Sequence, residues 1–173
     1  PQKMTELYRE VAKHPKVKKA FVSSGLRYDL MFNERSLDPK KDAEYVEQLI
    51  THHVSGRMKV APEHTEDHVL KFMRKPAFHY FETFKRKFEE ISKKKGLRQE
   101  LIPYFISSHP GTSPEDMARL AIKTKKLGYR LEQVQDFTPT PMTVATEIYY
   151  SGYHPYTLKE VKTAITLDEK TRQ

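Results

Sequence analysis

The chain has 173 residues, a net charge of +8, a pI near 9.5 and no cysteine. That length suits one domain, or part of a larger one, and is short for two; the absent thiols exclude disulfides, zinc fingers and thiolate-held iron–sulfur clusters within these residues. No apolar run approaches the roughly 20 residues of a membrane helix, and PQKMTELYREVAKHP lacks a signal-peptide core, so a cytoplasmic location is expected.

Met4, Leu7, Tyr8 and Val11 recur at helical spacing, and His14-Pro15 ends that segment because the residue before proline is pushed out of the α region. A strand is expected over Lys18 to Ser24. Asp38 suits a helix cap with Pro39 in the first turn, and Ala43, Val46, Leu49, Ile50 and Val54 then share an apolar face up to Ser55-Gly56. Arg57 to Ala61 reads as the second strand, followed by a helix near Thr65 to Arg74 and a break at Pro76. Phe78, Phe81, Phe84, Phe88 and Ile91 face one side of a long helix that closes on the lysines at 93 to 95, whose charge complements the exposed carbonyls.

The third strand is ELIPYFISS. It leads into HPGTSPEDMARLAIKTKKLG, where Ser113 caps, Pro114 suits the first position and Gly128 the stop. RLEQVQDFTP supplies a fourth strand. Residues 139–173 read as an irregular exit loop and tail, with a final helix expected over Thr157 to Lys170. About four strands separated by helices predict a single α/β domain over 1–173 with a parallel sheet, because parallel strands need crossover connections.

In parallel βα folds ligands lie at the carboxyl ends of the strands. Here those ends carry SSGLRYD, PEHTED, SSHPGTSPED and DFTPTPMT, each combining hydroxyls, a backbone-shaping Gly or Pro and an ionisable group. Helix capping alone also selects such residues, so both readings stand. His64 and His68 have H-x-x-x-H spacing, but Thr65 occupies the position where a zinc protease places Glu, and no metal site is assigned. The SSHPGTS loop lacks the Gly-x-x-x-x-Gly-Lys spacing of a phosphate loop, and no Gly-x-Ser-x-Gly elbow supports hydrolase chemistry.

AFVSSGLRYDLMF, VAPEHTEDHVLKFMRKP, YFISSHPGTSPEDM and QDFTPTPMTVATEIYYSG, in that order, resemble the YgiQ family of radical S-adenosylmethionine proteins. The resemblance implies the C-terminal half of a partial (β/α)6 TIM-like barrel whose full-length form cleaves S-adenosylmethionine reductively with a 4Fe-4S cluster, on an unknown substrate. The family's Cys-x-x-x-Cys-x-x-Cys motif is absent, so the chain is expected to be an inactive fragment whose first partner is the missing N-terminal half of the barrel, with no cofactor held tightly. By position, the resemblance makes Ser24, Arg27 and Glu63 candidates for the ribose or methionine part of the cofactor, and Ser107, Ser108 and Phe137 for the adenosine side. His64 and His109 are expected to face substrate. Truncation would also expose the edge strand around Ala20 to Ser23 and favour self-association. A rival reading is a basic βα module that binds RNA or another anion, motivated by the charge and ten tyrosines.

Overall fold

The computed structural model describes residues 2–22, 25–32, 38–131 and 133–172. In chain order the elements are α1 (Gln2–Lys13), a 3-10 turn (Tyr28–Phe32), α2 (Pro39–His52), β1 (Arg57–Glu63), α3 (Asp67–Phe72) and α4 (Phe78–Lys94). They continue with β2 (Glu100–Ser107), α5 (Pro114–Lys126), β3 (Gln133–Asp136), α6 (Val144–Ser151) and α7 (Leu167–Thr171). The sheet order is β1-β2-β3, and β2 runs parallel to β3 with Tyr104 opposite Gln133 and Ser107 opposite Asp136. This is the expected α/β class with parallel βα connections, built on three strands among the described residues. β1 alternates exposed and buried positions, whereas β2 is buried almost throughout, as befits a strand flanked on both sides.

Contacts divide the chain into two compact units, Pro1–Val60 with His79–Ile102 and Ala61–Phe78 with Pro103–Gln173. In the first, the aromatic spacing read from the sequence forms the core: Phe81, Phe84 and Phe88 on α4 are fully buried. Tyr28 stacks on Phe84 at 5.7 Å and meets Phe81 edge-on at 6.1 Å. Each such ring contributes about 1.5–3 kcal/mol of transfer free energy. Asp38 caps α2 by accepting from the Lys41 amide at 3.1 Å, as Pro39 enters the first turn. In the second unit Ser113 and Asp116 form a reciprocal capping box on α5.

Three expectations are corrected. The described part of the first expected strand, Lys18 to Val22, joins no ladder; the Val22 amide donates to the His53 carbonyl at 2.9 Å, and His53 Nδ1 meets the Ala20 carbonyl oxygen at 2.8 Å. The segment is therefore tied to the end of α2. Ser23 and Ser24 lie outside the described residues. The exit loop contains a true helix, α6, capped by Thr143 and stopped by Gly152 at φ +73°. The last helix is only Leu167–Thr171, because Tyr153 bridges Glu160 antiparallel and Leu158 takes φ +54°, which folds the preceding residues into a loop. No helix among the described residues is long and apolar enough to cross a membrane.

Candidate functional site

The carboxyl ends of all three strands, Glu63, Ser107 and Asp136, belong to the second unit. A cavity of about 670 Å³ opens there. Its wall is set by strand geometry: Tyr104 and Ile106 lie two apart on β2 and share a face, and Gln135 to Phe137 end β3. Tyr104 donates its hydroxyl to Gln135, and Ser107 donates to the Asp136 carboxylate, so two cross-strand bonds fix the floor. The Phe137 amide donates to the Ser107 carbonyl at 2.9 Å, which carries the parallel pairing one step past the sheet.

Glu63 takes φ +65°, in the left-handed region that non-glycine residues seldom adopt. Its carboxylate lines the cavity and pairs with Lys75 at 2.7 Å. Backbone conformations of this kind cost on the order of 1–3 kcal/mol and concentrate at functional sites. Arg74, likewise left-handed at φ +54°, lies over the Tyr156 ring at 5.6 Å on the same wall. Phe137 meets His109 edge-on at 4.9 Å, and His109 holds the Pro110 carbonyl oxygen at 2.9 Å through Nδ1. Burial lowers the His109 pKa against the smaller opposing effect of that bond, which leaves a neutral imidazole at the cavity wall. Burial also raises the Tyr104 pKa, with a further push from the Glu63 charge.

The backbone after β2 is shaped by close approach. At Gly111, φ is +83° and a Cβ would stand 2.6 Å from the Phe72 ring, so only glycine lets that ring pack there. Behind the wall, Ser108 at φ +57° and His64 are fully enclosed. His64 Nδ1 accepts from the Glu66 amide at 3.1 Å, while His64 Nε2 and the Ser108 hydroxyl have no hydrogen-bond partner among the described residues. Burial outweighs the nearby Asp116 and Glu66 charges and pushes the His64 pKa down to about 4. It is a neutral ring at ordinary pH.

Glu66, His68 and Asp116 bring three ligand-type atoms within 4.8 Å of one another. The cluster is satisfied without an ion. Arg119 donates to both Glu66, at 2.9 Å, and Asp116, while the second Asp116 oxygen accepts from the Ser113 amide at 2.8 Å and hydroxyl at 2.9 Å and lies 3.2 Å from His68 Nε2. Burial raises the Asp116 pKa, but these Ser113 and Arg119 hydrogen bonds outweigh it and hold the carboxyl below its ordinary value. An ion-pair network that anchors α5 accounts for the arrangement.

Of the residues singled out in the sequence, Glu63, His109 and Phe137 share the cavity wall, and Ser107 binds the Asp136 carboxylate that lines it. Ser108 and His64 sit enclosed in the same unit. Arg27 belongs to the first unit, where its guanidinium forks onto Asp29 at 2.9 and 2.7 Å; Ser24 lies outside the described residues. Tyr104, Gln135, Asp136 and Arg74 were missed. Tyr104 stands within the expected strand ELIPYFISS and Asp136 directly before Phe137 in QDFTP, whereas Arg74 reaches the wall through a left-handed turn that no residue type announces.

Comparison with known proteins adds a lineage. Residues 132–173 match a family described as a domain of unknown function (DUF3362). A UPF0313 protein of Porphyromonas gingivalis is 60% identical over 98% of this chain, and one of Bacteroides thetaiotaomicron is 57% identical over 98%. A UPF0313 protein of Pseudomonas aeruginosa is 49% identical over 88% of the chain. The chain spans only 27%, 28% and 19% of these relatives' lengths. Among solved structures, coproporphyrinogen III oxidase (HemN) from Escherichia coli, a radical SAM enzyme, is similar with a TM-score of 0.53 at 12% identity, over 80% of this chain and 28% of its own. The chain thus has an α/β fold similar to part of that enzyme's and is similar in sequence to a segment of UPF0313 proteins.

Proposed function

We propose that this segment supplies part of the ligand wall of a radical S-adenosylmethionine enzyme of the YgiQ type, and that the longer protein carries out the chemistry. The observation that carries the reading is the cavity at the carboxyl ends of three strands, with Glu63, Asp136, His109 and Phe137 on its wall, in a fold similar to that of a radical SAM enzyme. The residues fit the two cofactors unequally. A 4Fe-4S cluster does not fit this chain, because no cysteine is present, and its thiolates must come from elsewhere in the longer protein. S-adenosylmethionine does fit: Glu63 and Asp136 offer acceptors to ribose hydroxyls and to its positive charge, and Phe137 and Tyr104 offer faces to adenine. When bound with a reduced cluster, that cofactor supplies radical chemistry through reductive cleavage of a carbon–sulfur bond. This chain's own groups bind and orient; neutral His109 offers a polar contact without adding charge.

Anaerobic reconstitution of the full-length protein with iron and sulfide, followed by reduction with dithionite and measurement of 5′-deoxyadenosine, tests the proposal. Formation of deoxyadenosine is expected, together with a loss of about tenfold or more in Glu63→Gln and Asp136→Asn at unchanged cluster absorbance, since hydrogen bonds to charged groups are worth about 1.5–3 kcal/mol. Absence of a cluster and of deoxyadenosine in the full-length protein would overturn the enzyme class. Unchanged turnover in both variants would remove this cavity from the cofactor site.

A further inference from the structure

The charge of the chain is unevenly distributed. The first unit holds 19 of the 31 Lys and Arg but 12 of the 23 Asp and Glu, so nearly all of the net +8 lies in it. Within that unit a second cavity, of about 920 Å³, is lined by Arg9, Lys13, Lys18, Lys19 and Lys95 against the carboxylates Glu44 and Glu47. The two carboxylates are already engaged, Glu44 by Arg9 and Glu47 by Lys95 at 2.7 Å, and Lys13 pairs with Glu10 at 2.7 Å. Lys18 and Lys19 have no carboxylate partner among the described residues.

Those two lysines are not on a loose arm. The segment carrying them is fixed at Ala20 by His53 Nδ1 and at Val22 by the His53 carbonyl, and the His53 ring packs 4.6 Å from Tyr8 on α1. Beside them Phe21 is 48% exposed on the same wall, with the Lys19 ammonium 6.0 Å from its ring centroid, so cation and ring stand together. Cations on an anchored segment beside an exposed ring match a ligand that combines phosphates with flat bases. Phosphates neutralise the lysines and a base stacks on the ring.

We propose that this cavity of the first unit is a binding site for single-stranded RNA, with Lys18 and Lys19 as the phosphate contacts and Phe21 as the stacking face. The site is independent of the radical SAM reading, and its test requires neither a cluster nor S-adenosylmethionine. Fluorescence anisotropy of a labelled single-stranded RNA of about 12 nucleotides, titrated with the full-length protein across salt concentrations, reads it directly. Lys18→Ala/Lys19→Ala is expected to weaken binding about tenfold near 0.1 M salt and to make the log–log salt slope shallower by about 1.4, roughly 0.7 for each phosphate that is no longer neutralised. Phe21→Ala should weaken binding severalfold without altering that slope. Lys125→Ala/Lys126→Ala, which removes two exposed lysines of α5 in the second unit, should leave binding unchanged. Because Lys18 and Lys19 are exposed, the double variant should melt like the parent, as circular dichroism will verify. Equal losses in the two double variants would reveal diffuse charge and overturn the site. Competition by inorganic polyphosphate that is as strong per phosphate as RNA, or binding to phosphatidylserine vesicles in place of RNA, would overturn the assignment to nucleic acid.

Discussion

The two units solve burial differently. The first closes on aromatic rings, Tyr28, Phe81, Phe84 and Phe88, and its buried polar residues are few: Thr5, Asp42, His53 and Ser92. In the second, His64, Thr65, Ser107, Ser108, His109, Thr112, Asp116 and Thr124 are all buried, and the five non-glycine residues found at positive φ, Glu63, Arg74, Ser108, Met142 and Leu158, fall there as well. Buried polarity and backbone strain both cost stability, and chains tolerate them where a site requires them. The contrast therefore separates a first unit closed on aromatic rings from a second that holds most of the buried polar groups and the left-handed residues.

The largest test of that contrast is Phe84→Ala. Phe84 is fully buried and contacts Tyr28, so truncation should cost about 3–5 kcal/mol in urea unfolding, with near-normal dimensions at the cavity of the second unit in any variant that still folds. A loss below about 1 kcal/mol would break the picture of a tightly packed first core.

A pH titration addresses the second unit. The folded-state pKa of His64, about 4, lies below its ordinary 6.5, so the unfolded chain binds the extra proton first. Stability contributed by the neutral ring is complete above pH 6.5 and is lost as pH falls toward 4, by about 3 kcal/mol in all. His109, also lowered by burial, adds in the same direction. Urea unfolding at about pH 7 and about pH 4.5 should show the drop, and His64→Gln should flatten most of it. An unchanged slope in that variant would assign the acid sensitivity to the carboxylates instead.

Gly111→Ala comes next. The added Cβ meets the Phe72 ring at 2.6 Å in a left-handed backbone, which should cost about 1–3 kcal/mol and push the ring, itself part of the cavity wall, out of place. Denaturation midpoints measure the first effect. Binding of S-adenosylmethionine to the full-length variant measures the second.

Local signals explain which features were legible in the sequence. Asp38-Pro39, Ser113-Pro114 and the Phe78, Phe81, Phe84, Phe88 spacing act within one or two helical turns, and α2, α5 and α4 stand where those residues put them. The run around Phe21 has strand composition, but strand formation depends on a distant partner, and His53 provides only an anchor. α6 hid because Val144, Ile148 and Tyr149 are too few to show a period among prolines and threonines. At the site, turn chemistry after the strands pointed to Glu63, His109 and Phe137, whereas Gln135 and Arg74 depend on strand register and a left-handed turn.

The smallest effect compares the two capped helices. Ser113→Ala removes a hydroxyl that donates to Asp116 at 2.9 Å and accepts from its amide at 3.2 Å, which should cost about 1 kcal/mol. Asp38→Ala on α2 removes a cap that also pairs with the Lys41 ammonium at 3.3 Å near the surface, and should cost a similar or smaller amount. The units separate in what else moves. Asp116 also binds Arg119 and His68, so loss of the Ser113 hydroxyl should let the Asp116 pKa rise toward its ordinary value. The stability held by that carboxylate, present above its unfolded pKa and lost as pH falls through the folded one, would then disappear at a higher pH than in the parent. Carboxylate titration by NMR should resolve the shift in Ser113→Ala and none at Asp116 in Asp38→Ala. If Asp116 titrates unchanged in Ser113→Ala, the Ser113 amide and Arg119 hold it, and the Ser113 hydroxyl contributes to the helix without reaching the polar network of the second unit.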